Sequence, residues 1–306
     1  MDFVHLHLHT EYSLLDGAIR IKDLPAFVKK AGMKACAITD HGAMYGIIDF
    51  YRACVSNGIK PIIGCEVYVA RRKLTDREVS HDKDSFHLIL LAKNDTGFKN
   101  LIKLVSIGFT EGFYYRPRID MDVLTRHSEG IIALSACLAG EIPVDLMSGE
   151  RDKAREAALK FDSIFGRGNF YLEIQHNNIP EQNIVNAGLV NISNITGIPL
   201  VATNDCHYMR KEDAKAHEIL LCMQTGKRMS DPDRMKMMSD EFYVKTPFEM
   251  AADFKGLEIA LENSVKIADM CNVEIDFDKI YLPEFNIPEG FASHDEYLMS
   301  LCIKGL

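Results

Sequence analysis

The chain lacks any apolar run approaching the roughly 20 residues that a membrane-spanning helix needs, so no membrane partner is expected. Its Met-Asp-Phe opening carries no charged n-region or apolar signal core, which gives a cytoplasmic expectation. The eight cysteines, Cys36, Cys54, Cys65, Cys137, Cys206, Cys222, Cys271 and Cys302, never fall in a C-x-x-C spacing. That absence argues against a disulfide framework or a zinc ribbon, and most are expected to be reduced core residues. A cationic surplus is missing too, with 35 Lys and Arg against 44 Asp and Glu and a net charge of -9. Phosphate contacts supply most of the affinity for a long nucleic acid, so such a substrate needs a local cationic site or metal ions here. Gly-x-Ser-x-Gly, P-loop and dinucleotide fingerprints are absent as well, which removes the common hydrolase and nucleotide-binding alternatives.

What is present begins at the first nine residues, where His5, His7 and His9 alternate and Thr10, Asp16 and Gly17 follow. A strand puts side chains two apart on one face, so His7 and His9 can offer imidazoles to one point with Asp16 as a third donor. A polar face turned to solvent is the plain alternative. The interleaved Val4, Leu6 and Leu8 exclude a histidine tag.

With 306 residues and 47% hydrophobic content, the chain can bury one large core. Runs rich in branched and aromatic residues occur at 3–8, 35–39, 60–69, 86–92, 131–135, 169–175 and 199–203. Amphipathic stretches lie between most of them, such as Leu24, Phe27, Val28 and Ala31, or Leu101, Leu104 and Val105. Seven strand-helix units predict an α/β fold of parallel, barrel-like type. The breakers Ala31-Gly32, Asn57-Gly58 and Thr196-Gly197 with Pro199 fit that register, and no internal repeat is present. Residues 71–85, charged and without period, predict a solvated loop or hairpin tip. Beyond about residue 272, Pro283, Pro288 and Gly290 suggest a linker before a final helix. The expected organisation is a domain at 1–271 and, at 272–306, a linker and the truncated start of a following region.

Metal-capable residues fall at strand ends, where barrel enzymes build their sites. They are His7, His9 and Asp16; Thr39-Asp40-His41; Gly64-Cys65-Glu66; Leu134-Ser135-Ala136-Cys137; and Thr203-Asn204-Asp205-Cys206-His207. His87 opens strand four, and it returns to the same mouth if strands three and four form an antiparallel hairpin. Taken singly, His41 could cap a helix, Glu66 could pair with Arg71 or Arg72, and Cys137 could be a small buried hydrophobe. Unrelated caps and core residues have no reason to gather His, Asp and Glu at one end of successive strands.

The order H-L-H-T-E-Y-S-L-L-D-G, I-T-D-H-G, G-C-E-V-Y, H-L-I-L-L-A-K-N, L-S-A-C-L-A-G-E and A-T-N-D-C-H-Y resembles the PHP (polymerase and histidinol phosphatase) family. Within it, the wording looks like the form at the N-terminal end of bacterial DNA polymerase III alpha subunits, and it covers essentially the whole chain. The resemblance implies a distorted seven-unit (βα) barrel with its site at the C-terminal mouth of the strands. It also implies two or three divalent ions, zinc or manganese with iron as a further candidate. One ion would take His7, His9, Glu66 and Asp205; a second Glu66, His87 and Cys137; a third Asp16, His41 and His207. No position of this nine-ligand pattern is lost, and a thiolate at Cys137 should favour zinc over magnesium.

Clustered cations suit phosphoester hydrolysis, because they lower the pKa of water, hold phosphate oxygens and stabilise a leaving oxyanion. Glu66, His9 and Asp205 are the expected catalytic residues. The leading expectation is a 3'-5' proofreading exonuclease acting on the single-stranded 3' end of primer DNA. Its partners would be the rest of the polymerase chain, with the sliding clamp and other replisome subunits reached through the full-length protein. The rivals are a metal-stabilised structural module that docks a separate exonuclease, and a phosphatase or pyrophosphatase. Arg116 and Arg118, in Tyr114-Tyr115-Arg116-Pro117-Arg118, are candidates for holding substrate, and a loop packed against another part of a polymerase is the equal alternative. His176 ends strand six and could reach substrate. His5 is expected to support its strand, with His81, His127, His217 and His294 on the surface.

Overall fold

The computed structural model describes residues 2–280 and 282–306, which form two compact units, one ending at Val273 and the other Glu274–Leu306. Among the described residues of the first unit, the strands are β1 (Ala35–Ile38), β2 (Lys60–Ala70), β3 (Ser85–Ala92), β4 (Phe113–Tyr114), β5 (Arg116–Ile119), β6 (Ile131–Leu134), β7 (Phe170–Gln175) and β8 (Leu200–Thr203). The ladder runs β1-β2-β3-β6-β7-β8, and the short β4-β5 hairpin is added where β5 pairs with the far end of β2. Neither β4 nor β5 was anticipated from periodicity, since each is too short to show an alternation.

The predicted strand at 3–8 is not a regular strand. It is an extended segment that closes the ring between β8 and β1, with Ala37 N and Thr39 N donating to His5 O and Leu8 O, and His9 N donating to Cys206 O. Side-chain oxygens take amides that a ladder would otherwise use: Val4 N donates to Ser264 Oγ and Leu8 N to Thr39 Oγ1. With this segment the barrel has seven walls.

Not all walls are parallel. β3 runs antiparallel to β2 and β6, while β1-β2, β6-β7 and β7-β8 are parallel. Between β2 and β3 the only helix is the single turn Val79–Asp82, too short for a crossover, so the chain returns as a hairpin. That connection is less solvated than its charge suggests, because Leu74 and Asp82 are buried in it.

Val4, Leu6, Ala35, Ala37, Ile62, Ile89, Leu91, Ile132, Leu134, Tyr171 and Val201 fill the barrel interior from successive walls. They share this core with Ile267, Ala268 and Cys271 at the end of the helix Glu258–Met270. Lys60 Nζ on Ala268 O and Asn272 N on Lys93 O tie that helix end to the start of β2 and the end of β3. One end of the barrel is thereby plugged with apolar side chains. The opposite end, where β1, β2, β6 and β8 point, is left to polar residues.

The flanking helices start and stop where local chemistry dictates. Asn94 caps Asp95–Thr110 by accepting from Gly97 N, and Thr246 with Glu249 forms a capping box on Pro247–Asp253. Gly58 and Gly197 end Ile47–Asn57 and Pro180–Thr196 at positive φ. In the second unit, Ser293 caps the helix His294–Gly305, and Phe285 stacks on Tyr297.

Candidate metal centre

The polar end of the barrel gathers all nine sequence-predicted donors, with Glu66 at their centre. Its backbone is pinned beside β1, with Glu66 N donating to Asp40 O and Gly42 N donating to Glu66 O. His7 Nε2 and His9 Nε2 are 3.1 Å apart. Both approach Asp205 Oδ1, at 3.0 and 3.2 Å, and Glu66, at 3.5 and 3.6 Å. On the other side of Glu66, Oε1 is 2.8 Å from His87 Nδ1 and 3.8 Å from Cys137 Sγ, and Cys137 lies 3.7 Å from His87. Glu66 Oε2 is 2.5 Å from His41 Nδ1. His41 Nε2 turns outward to Asp16 Oδ2 at 3.0 Å, and His207 Nε2 stands 3.9 Å from Asp16 Oδ1.

His87 reaches this mouth because β3 reverses, and its amide donates to Ala139 O beside Cys137. The tightest groups divide the donors differently from the family pattern. His41 groups with Glu66 and His87, and it also groups with His9 and His207. It stands between two sets because its two ring nitrogens face opposite ways.

Three non-glycine residues in the left-handed region aim these donors. They are Asp205 itself (φ 49), Ala136 before Cys137 (φ 64) and Leu15 before Asp16 (φ 61). Such conformers cost on the order of 1–3 kcal/mol each and persist where surrounding structure imposes them. Gly17 completes the Asp16 turn, since a Cβ there would stand 2.0 Å from Thr10 O.

The tautomers follow from the hydrogen bonds. Ser13 Oγ donates to Asp40 Oδ1, so it accepts from His9 Nδ1 and leaves His9 Nε2 facing the cluster. His207 Nδ1 donates to Asp205 O, again leaving Nε2. Bare nitrogens and carboxylate oxygens thus converge with few donors among them, and the buried Glu66 Oε2 and Asp205 Oδ1 stand 2.5–3.2 Å from histidine nitrogens without a well-directed hydrogen bond among the described residues. Protons or cations must occupy such a cluster. The spacings of His7, His9, Glu66 and Asp205 are close to the ~3.4 Å between donors around a tetrahedral ion with bonds of about 2.1 Å. The residues present therefore fit divalent metal ions.

Without metal, the cluster divides its protons unevenly. Burial opposes charge on His7, yet Asp205 and Glu173 hold its pKa well above the ordinary value. Burial opposes charge on His41 as well, and Glu66 with Asp16 lifts it to about 10. Burial, with His41 and His207 alongside, drops His9 to about 3. Against the cost of burial, the histidines hold Glu66 and Asp205 well below the usual carboxylate range, whereas burial pushes the Cys137 thiol up. His5 is lowered by burial to about 4, and its ring nitrogen bonds Lys245 O at 2.8 Å.

A pH profile follows. His5 and His9 are neutral in the fold but titrate near 6.5 when unfolded, so stability is lost as pH falls from about 6.5 toward 4, by about 3 kcal/mol for His5 alone. His7 and His41 are raised, so their contribution is full below 6.5 and is lost as pH rises toward about 10. Denaturant unfolding of metal-stripped protein should therefore show maximal stability near pH 6.5. A flat profile between pH 4.5 and 9 would contradict these assignments.

The remaining candidates separate. Arg116 is exposed, with its guanidinium carbon 5.6 Å from the Tyr68 ring centroid, and Tyr68 in turn packs against His41 and His87. Arg118 departs from the substrate-binding expectation, being fully buried and donating to the carbonyls of Gly112, Asp82, Leu74 and Asp76. His176 neighbours Asp253 and Phe254 instead of the cluster. His217, expected on the surface, is 1% exposed and its Nε2 donates to Asp16 O at 2.6 Å. Sequence reading passed over Ser13 and Glu173 as well, and it grouped Asp40 with the metal-capable residues although Asp40 accepts from Thr10 N and Ser13 Oγ. The available signal was polar residues inside apolar strand segments, as in Phe170-Tyr171-Leu172-Glu173-Ile174-Gln175.

A PHP domain matches residues 5–177, more than half of the chain. The chain belongs to the PHP domain family. It is 47% identical over 306 residues to the DNA polymerase III subunit alpha of Borreliella burgdorferi, covering 99% of this chain and 27% of that protein. The same subunit of Treponema pallidum is 45% identical over 307 residues, covering 100% and 26%, and that of Thermus aquaticus is 45% identical over 317 residues, covering 100% and 26%. The chain thus spans about a quarter of the length of these curated relatives. No helix among the described residues is long and apolar enough to cross a membrane.

Proposed function

We propose that this chain is the PHP domain of a DNA polymerase III alpha subunit and a metal-dependent phosphoesterase that removes nucleotides from the 3' end of a primer. The observation that carries this reading is the complete donor set, nine side chains gathered at one end of the barrel with no position lost. Similarity at 45–47% identity to alpha subunits supports the polymerase setting. The compact unit ending at Val273 supports a domain at about 1–271, with 272–306 leading toward the polymerase region.

Two or three zinc or manganese ions, or iron, would be held by His7, His9, Asp16, His41, Glu66, His87, Cys137, Asp205 and His207, and would supply Lewis-acid and water-activating chemistry. The chain's own contributions are positional. Glu66 spans two donor groups, His9 belongs to one of them with Asp205 Oδ1 3.2 Å from its Nε2, and Ser13 keeps the His9 lone pair inward. Arg116, exposed over Tyr68 beside the cluster, is the cation best placed to hold a strand phosphate.

A recessed barrel mouth admits a frayed strand more readily than a duplex, and unpairing costs least at a mismatch. A 5'-labelled primer incubated with metal-reconstituted protein should shorten from its 3' end, faster when that end is mispaired. Activity at limiting DNA should fall with rising salt through weaker binding. Equal rates on matched and mismatched ends would count against proofreading, and turnover of small phosphate monoesters alone would favour a phosphatase. Full metal occupancy without any hydrolysis would favour a structural module.

A further inference from the structure

Glu173 is a carboxylate on the central part of β7, only 2% exposed, between Leu172 and Ile174. A buried carboxylate in an apolar strand is costly unless its charge is used. Here it meets His7 from the side away from the cluster: His7 Nδ1 donates to Glu173 Oε1 at 2.7 Å, while His7 Nε2 lies 3.0 Å from Asp205 and 3.1 Å from His9 Nε2. An acceptor fixed at Nδ1 selects the tautomer whose Nε2 lone pair points into the cluster, and its charge makes that nitrogen more basic.

Glu173 is itself immobilised. Oε1 also accepts from Gln175 Nε2 at 2.9 Å and Thr203 Oγ1 at 2.5 Å, and Glu173 N donates to Ser135 Oγ at 2.8 Å. Its neighbours just past β6 and on β7 and β8 therefore fix the ring plane of a residue 166 positions earlier in the chain.

We propose that Glu173 is a positioning residue of the metal centre, holding His7 in the Nδ1-protonated tautomer and raising its strength as a donor. This rests on the metal-centre reading above. The role differs from that of the nine donors, since Glu173 acts only through His7.

The test is a competitive zinc titration of the whole chain against a chromophoric chelator, with NMR of the histidine ring nitrogens. In the zinc-bound wild type, His7 Nδ1 should carry a proton and Nε2 should not. Glu173→Ala should weaken zinc binding by about 10–100-fold, and Glu173→Gln, which keeps shape and an acceptor oxygen but loses charge, should lose less. Wild-type zinc affinity in both variants, or an unprotonated Nδ1 on His7, would overturn the proposal. So would a lowered unfolding temperature of the metal-free variants with affinity intact, because that marks a merely structural role. Should Glu173→Ala not fold, Glu173→Gln and the wild-type tautomer decide. Wild-type protein that takes up no zinc or manganese would instead overturn the metal centre itself, an outcome distinct from variants that match a zinc-binding wild type.

Discussion

Replacing Glu66 by alanine is expected to take phosphoester hydrolysis down by about a thousandfold or more and to empty most of the metal centre. Glu66 is fully buried, and its two oxygens meet His87 and His41 at 2.8 and 2.5 Å and His7 and His9 at 3.5 and 3.6 Å. It belongs to two of the three tightest donor groups, so one truncation damages both. Without its charge, the cations that the remaining donors would hold lose the carboxylate that offsets them, and metal-dependent stability falls with the metal. Elemental analysis after reconstitution, thermal unfolding and the primer assay read these effects together. Wild-type hydrolysis by Glu66→Ala at matched metal occupancy would show that the shared-donor role is wrong. His9→Ala should also abolish hydrolysis, but it leaves the group of His41, Glu66 and His87 complete.

The second large effect is on folding. Arg118→Ala should destabilise the protein by about 3–5 kcal/mol, because it strands buried carbonyls that cost about 1–3 kcal/mol each when left unpaired. The guanidinium serves the carbonyls of Leu74, Asp76, Asp82 and Gly112 at 2.9–3.3 Å, and thereby ties the β2-β3 connection to the β4-β5 hairpin. Arg118→Lys, with a point charge in place of a planar fork, should recover only part of this. Denaturant unfolding measures the loss. An Arg118→Ala protein with an unchanged midpoint but weaker binding to single-stranded DNA would return Arg118 to the substrate-contacting role that its neighbour Arg116 is better placed to fill.

That pair shows where sequence reading stopped. Arg116 and Arg118 have the same side-chain chemistry and the same strand parity, and nothing local separates them. Pairing of Tyr68 with Arg118, and of Tyr114 with Arg116 across the hairpin, places one arginine inside and leaves the other at the rim. His217 is a similar case, since an apparently ordinary helical histidine is buried by a contact with Asp16, 201 residues away.

The sequence by itself determined the α/β class, six of the seven barrel walls as strands, and the donor set at their ends. Each of those features is local: alternation marks a strand, and the donors sit within a few residues of its end. His87 was legible only conditionally, since the sequence left a loop or a hairpin open for the charged connection, and the antiparallel pairing of β2 and β3 settled it. Only the tertiary structure decided that the first wall is an irregular segment, that His41 stands between two donor groups, and that Glu173 lies behind His7. These depend on which atoms meet when the ring closes, and a hydrogen bond between residues more than a hundred positions apart leaves no period in the sequence.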